Sequence, residues 1–145
     1  MDIKPVLAED AQKLAQLAAQ SNFSARWSAD AFAAEIAQST SLILKAQNDA
    51  GDITGFISYR FTPPDAELTN FAVDGANQRQ GIGAALLQKS LEVLKQKGVL
   101  ALTLEVNINN FAAAALYKKF GFTQTAIRKK FYNNVDDAVI LRKEL

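Results

Sequence analysis

The chain has 145 residues, and 16 basic side chains against 15 acidic ones leave a net charge of +1. That length fits one domain, residues 1–145, able to bury about two-thirds of its unfolded surface, and no linker, charge block or internal repeat divides it. The balanced charge offers no general field for nucleic acid or an anionic membrane, and the absence of Cys and His excludes disulfides, thiol nucleophiles, Cys/His zinc sites and imidazole bases.

Met1 to Asp10 carries Asp2, Glu9 and Asp10 and has no apolar run, unlike a signal peptide, and no later apolar stretch is long enough for a bilayer. A cytoplasmic protein without a membrane partner is the expectation. Ile3 to Leu7 reads as a short strand. Glu9 to Gln20 reads as a helix, with Leu14, Leu17 and Ala18 at helical spacing. A second helix begins at the N-cap Ser28, where Trp27 and Phe32 form a hydrophobic staple. The period then changes. Ser41 to Ala46 and Ile53 to Phe61 read as strands of a meander, separated by the turn residues Asn48 to Asp52.

Pro63-Pro64-Asp65 ends the second strand, Glu67 to Val73 gives a third, and a polar loop runs from Asp74 to Gln80. From Gly81 to Lys97, Leu87, Leu91 and Leu94 mark a long amphipathic helix closed by Gly98. Leu100 to Val106 is a strand, Asn110 to Phe120 an Ala-rich helix capped by Asn110, and Phe122 to Arg128 and Asp136 to Lys143 are two last strands around Tyr132-Asn133-Asn134. The fold class is α/β: a mixed sheet with helices on both faces.

Chemistry must come from carboxylates, Tyr, Lys, hydroxyls or backbone amides. The most informative segment is Gln78-Arg79-Gln80-Gly81-Ile82-Gly83, between a strand and a long helix. Two glycines at a helix opening let backbone N–H groups approach a phosphate or pyrophosphate, aided by the helix dipole, although they also suit a tight helix entry with no ligand. No P-loop occurs. A dinucleotide fingerprint is a rival, since Glu105 lies 22 positions after Gly83. Leu86 at its third small-residue position and the long link from Asp74 to Gln80 count against it.

Gln78 to Gly83 resembles the R/Q-x-x-G-x-G/A pyrophosphate loop of the GNAT superfamily of N-acetyltransferases, whose element order is the one just given. Trp27-Ser28 with Phe32, Ala66 to Val73, Leu104-Glu105-Val106 with Asn110, and Ala115-Leu116-Tyr117 with Gly121-Phe122 are similar to the ribosomal-protein alanine N-acetyltransferases of that superfamily, the RimI type. The resemblance spans nearly the whole chain. It implies a mostly antiparallel sheet with a V-shaped opening between the strands ending near Val73 and Val106, and acetyl-CoA as co-substrate in that opening. Phe71, Ala72 and Val73 would face the pantetheine arm, Arg79, Gln80, Gly81, Ile82, Gly83 and Ala84 the pyrophosphate, and Asn110 the thioester end. Glu105 would be the general base, acting through water, and Tyr117 the general acid.

The implied acceptor is a protein N-terminal amine, alanine of a small-subunit ribosomal protein, by direct transfer. A lysine side chain, a polyamine, a drug, or a CoA-binding module without turnover are the alternatives. Glu67 is a rival base on the neighbouring strand, and Tyr132 a candidate wall for the peptide. Lys118-Lys119 and Arg128-Lys129-Lys130 read as solvated faces or as contacts to the 3′-phosphate of CoA.

Overall fold

The computed structural model describes all residues, Met1–Leu145. A seven-stranded sheet forms the centre, built from β1 (Asp2–Pro5), β2 (Ser41–Gln47), β3 (Ile53–Thr62), β4 (Asp65–Val73), β5 (Ala101–Asn107), β6 (Thr123–Tyr132) and β7 (Asp136–Glu144), in the order β1-β2-β3-β4-β5-β7-β6. Every neighbouring pair is antiparallel except β4–β5. Four α-helices complete it: α1 (Ala11–Gln20), α2 (Ala29–Ile36), α3 (Ile82–Gln96) and α4 (Phe111–Lys119).

Two apolar clusters divide the helices between the faces. Leu14, Leu17 and Ala18 of α1 and Phe32 of α2 pack on Ile43, Phe56 and Ala72. On the other face Leu86, Leu87 and Leu94 of α3 and Tyr117 of α4 pack on Leu44, Ile57, Leu102, Leu104 and Val106. The alternation of adjacent strand residues between these clusters is the period of two expected of a sheet covered on both sides. Local signals act as their chemistry requires. Ser28 Oγ accepts from the N–H of Ala31, and the Trp27 and Phe32 rings sit 5.1 Å apart. Asn48 Oδ1 accepts from the N–H groups of Ala50 and Asp52. Gly98 and Gly121 end α3 and α4 with φ near 88°.

The first helix differs from expectation. Asp10 turns its carboxylate back to the N–H of Leu7 and to Lys45 Nζ at 2.6 Å, so Ala8–Asp10 forms a 3₁₀ turn and the α-helix begins at Ala11. The edge strand β1 likewise stops at Pro5, earlier than the apolar pattern suggested, although the Val6 N–H still reaches the Ile43 carbonyl.

Candidate active site

β4 and β5 share three rungs, Asp65–Ala101, Ala66–Leu102 and Glu67–Thr103. Beyond these, β4 runs on to Val73 and β5 to Asn107 without pairing, so a wedge opens in the middle of the sheet. A cleft of about 740 Å³ occupies it, lined by the loop Ser21–Trp27, by Glu67–Phe71 of β4, by Glu105–Asn107 of β5, and by Asn110, Tyr117, Tyr132 and Asn133.

The wedge decides which side chains can meet. On β5, Leu104 and Val106 face α3 and α4, so alternation sends Glu105 to the α1/α2 side. Tyr117 comes from α4 on the opposite side. An intact sheet would separate them, but where β4 and β5 have parted both reach the same cleft. Tyr117 is 4% exposed, with its ring against Phe122 and Phe71 at centroid distances of 5.5 and 6.5 Å. Its hydroxyl has no hydrogen-bond partner in the protein, yet no buried side-chain oxygen is left unsatisfied, so that atom opens to the cleft. Burial, and secondarily the nearby Tyr132, pushes the phenol well above its ordinary value. Tyr117 is therefore a neutral, proton-bearing group aimed at the wedge.

Glu105 and Glu67 both line the cleft, but only Glu105 is fixed by an ion pair, to Arg128. Arg128 is thus not simply a solvated basic residue. Lys129 Nζ and the Lys130 N–H are held by Asp137, so the run is tied into the β6–β7 hairpin. Tyr132, half-buried at the end of β6, lines the cleft, and burial followed by the Glu105 charge raises its phenol.

The groups that the sequence assigned to a phosphate cluster at the α3 opening. Arg79 has φ 65° and Gly81 φ 80°, and none of the backbone N–H groups from Gln78 to Ala84 has a partner in the protein. A Cβ on Gly83 would lie 3.5 Å from Phe71 Cζ and 3.8 Å from Val73 Cγ2, so the helix mouth sits beside the far end of β4. The Asp74 N–H bonds the Thr54 carbonyl. Strand alternation then turns the Ala72 N–H toward β3 and the Phe71 and Val73 groups toward the gap. Phe71 is already engaged there: its carbonyl accepts from Ser24 Oγ at 2.7 Å and its N–H donates to Asn70 Oδ1. At Val73 the N–H is open, while the carbonyl accepts from Gln78 Nε2 at 3.4 Å. Asn110 caps α4, its Oδ1 accepting from the Ala113 N–H, which leaves its side-chain amide N–H groups for a ligand carbonyl in the cleft. Free amides, an open strand edge and a half-committed Asn fit a long ligand with a pyrophosphate at one end and an acyl group at the other.

Sequence reasoning missed the loop Ser21–Trp27 and its anchor. Asn70 is buried and donates to the Ala25 carbonyl at 2.9 Å, so together with Ser24 it fastens the loop over the wedge. A side-chain amide inside the strand Leu68 to Val73, Asn70 following Thr69, was the available signal. A second cavity of about 350 Å³, between Trp27, Ala31, Glu35 and Arg60, brings none of the expected site residues together.

The sequence and the fold both match known proteins. The model of the acetyltransferase (GNAT) family matches residues 9–122. The ribosomal protein bS18-alanine N-acetyltransferase of Escherichia coli (strain K12) is 37% identical over 118 residues, which are 79% of this chain and 78% of that one. The crystal structure of the ribosomal-protein-S18-alanine N-acetyltransferase from Escherichia coli superposes with a TM-score of 0.85 at 30% identity, covering 99% of this chain and 92% of the other. Ard1 from Thermoplasma volcanium, 24% identical, shares the fold with a TM-score of 0.87 over 99% and 97% of the two chains. With the split sheet, the amide-lined helix mouth and these relatives together, the chain belongs to the acetyltransferase (GNAT) family and is an N-acetyltransferase.

Proposed function

We propose that residues 1–145 act as one domain that transfers an acetyl group from acetyl-CoA to a protein N-terminal amine, with the alanine of a small-subunit ribosomal protein as acceptor, in the cytoplasm and without a nucleic-acid or membrane partner. The acceptor follows the activity of the 37% identical bS18-alanine N-acetyltransferase of Escherichia coli. The observation that carries the reading is the meeting of Glu105 and Tyr117 in the wedge between β4 and β5.

Acetyl-CoA, when bound, supplies an activated acyl group on a thiol leaving group. The residues do the rest. An N-terminal amine has a pKa of about 7.7–8.0, so part of it is protonated at neutral pH and must lose a proton before it can attack. Glu105 accepts that proton, through a water in the cleft. A backbone N–H on the β4 edge between Phe71 and Val73 donates to the carbonyl oxygen as negative charge develops. Tyr117 carries a proton that burial keeps in place across the working pH range, so it is there to donate to the sulfur as the C–S bond breaks. The amides from Arg79 to Ala84 hold the pyrophosphate, and Phe71, the Val73 N–H and Asn110 align the arm between; Ala72, expected on that edge, pairs with Phe56 of β3 and packs in the core instead.

Thiol release from acetyl-CoA with an Ala-initiated peptide tests this. Glu105→Gln and Tyr117→Phe should each lower kcat by roughly 10²–10⁴-fold, the range of a lost acid or base. Unchanged rates in both remove the assigned roles. Spermidine or a lysine peptide outcompeting the N-terminal peptide reassigns the acceptor, and binding of acetyl-CoA without turnover of any amine makes the chain a CoA-binding module.

A further inference from the structure

Glu105 does not stand free in the cleft. Its Oε1 accepts a hydrogen bond from Arg128 Nη1 at 2.7 Å, while Oε2 has no partner in the protein. The arginine comes from two strands away. Arg128 pairs with Ala138, and Ala138 with Asn107, so these three side chains form a row on the face that carries Glu105. With only a methyl group at position 138, the arginine stem crosses β7 and reaches the carboxylate one pleat along β5.

An aromatic ring supports the guanidinium: Arg128 Cζ lies 3.9 Å from the centroid of Phe131. A bulge brings that ring into place, since β6 takes four steps from Arg128 to Tyr132 where β7 takes two from Ala138 to Asp136. Lys130 sits in the bulge at φ 51°, and its N–H donates to Asp137 Oδ1 at 2.8 Å. Arg128 is 50% exposed and Glu105 27% exposed, and an ion pair so accessible adds little to folding. A cross-strand reach, a supporting ring and a pinned bulge are therefore arranged around a contact with small structural value, at the edge of the wedge.

We propose that Arg128 is a positioning residue for acetyl transfer: by tying down Oε1 it turns Oε2 of Glu105 toward the water or acceptor amine in the cleft. This rests on the reading of Glu105 as the base. Fixing a reacting group within a fraction of an ångström is where such a contact acts, and losing the fix is worth roughly ten- to a hundredfold in rate.

The experiment is steady-state kinetics with acetyl-CoA and an Ala-initiated peptide for Arg128→Ala and Arg128→Lys, and for Arg128→Ala combined with Glu105→Gln. Arg128→Ala should lose roughly ten- to a hundredfold in kcat, with the KM for acetyl-CoA and the melting temperature unchanged. Millimolar guanidinium should restore part of that rate, and Arg128→Lys, which keeps the charge but not the flat fork, should recover only part of it. Added to Glu105→Gln, the alanine substitution should cost nothing further, and guanidinium should have no effect. A wild-type kcat in Arg128→Ala alongside a slow Glu105→Gln overturns the positioning role and leaves the base intact. So does an equal loss in both backgrounds, or a slow variant that melts lower and ignores guanidinium. A wild-type rate in Glu105→Gln overturns the base itself, and the positioning role with it.

Discussion

The phenol of Tyr117 illustrates how one residue can be both core and chemistry. Its ring is part of the apolar cluster under α3 and α4, and that burial is what lifts the proton affinity of its hydroxyl. The sign of the shift sets an expectation for the pH profile. A raised phenol stays protonated, and so remains a competent acid, past the ordinary tyrosine value of about 10. The acceptor amine, by contrast, gains reactivity as it deprotonates at about 7.7–8.0. With no imidazole in the chain, kcat/KM should rise through the range of the amine and stay level to about pH 10, with no intermediate fall. A bell with its alkaline limb near 8 or 9, measured on an Ala-initiated peptide, would show that Tyr117 is not the group that protonates the thiolate.

At the scale of elements, the opening of α3 tests the cofactor assignment separately from the chemistry. Gly83 lies in the first turn, and a Cβ there would meet Phe71, Leu116 and Val73 only at ordinary contact distances of 3.5 to 3.8 Å. Alanine is thus sterically acceptable to the protein, and replacing a helical glycine by alanine favours folding by about 0.4–1 kcal/mol. If the pyrophosphate must come close to this backbone, Gly83→Ala should raise the KM for acetyl-CoA severalfold while the melting temperature holds or rises. An unchanged KM would detach the helix mouth from cofactor binding. Most elements of this kind were legible in the sequence, because turn and cap residues such as Ser28, Asn48, Gly81 and Gly98 fix local geometry without outside help. Element order carried the sheet and the wedge. The contacts that assemble the acceptor side were not legible. Arg128 reaches Glu105 only because of a register and a bulge set by strand pairing, and Asn70 holds the Ser21–Trp27 loop from a distance of some 45 residues. The Arg128 contact leaves no trace in local spacing, and Asn70 shows only as an amide inside a strand, with nothing to say which loop it holds.

At the scale of the whole molecule, the sheet is bound to α3 partly through a proton. Tyr59 of β3 is fully buried, and its hydroxyl lies 2.7 Å from Ser90 Oγ on α3. Ser90 donates its single proton to the Leu87 carbonyl, so Tyr59 must be the donor in the pair. Burial pushes this phenol far above its ordinary range, as it does Tyr117. The folded chain therefore keeps both protons at a pH where the unfolded chain, titrating at about 10, has lost them. Their contribution to stability is whole below pH 10 and is lost as the pH climbs above it. Melting temperature should accordingly be flat on approach to pH 10 and fall steeply beyond. Tyr59→Phe gives up one buried hydrogen bond, about 1 kcal/mol, and should melt lower at neutral pH. Above pH 10 its decline should be shallower than that of the unsubstituted chain, so that the two curves converge. Parallel curves through pH 11, followed by circular dichroism, would mean that alkaline unfolding is driven by other groups and that the contact between β3 and α3 does not depend on the phenol proton.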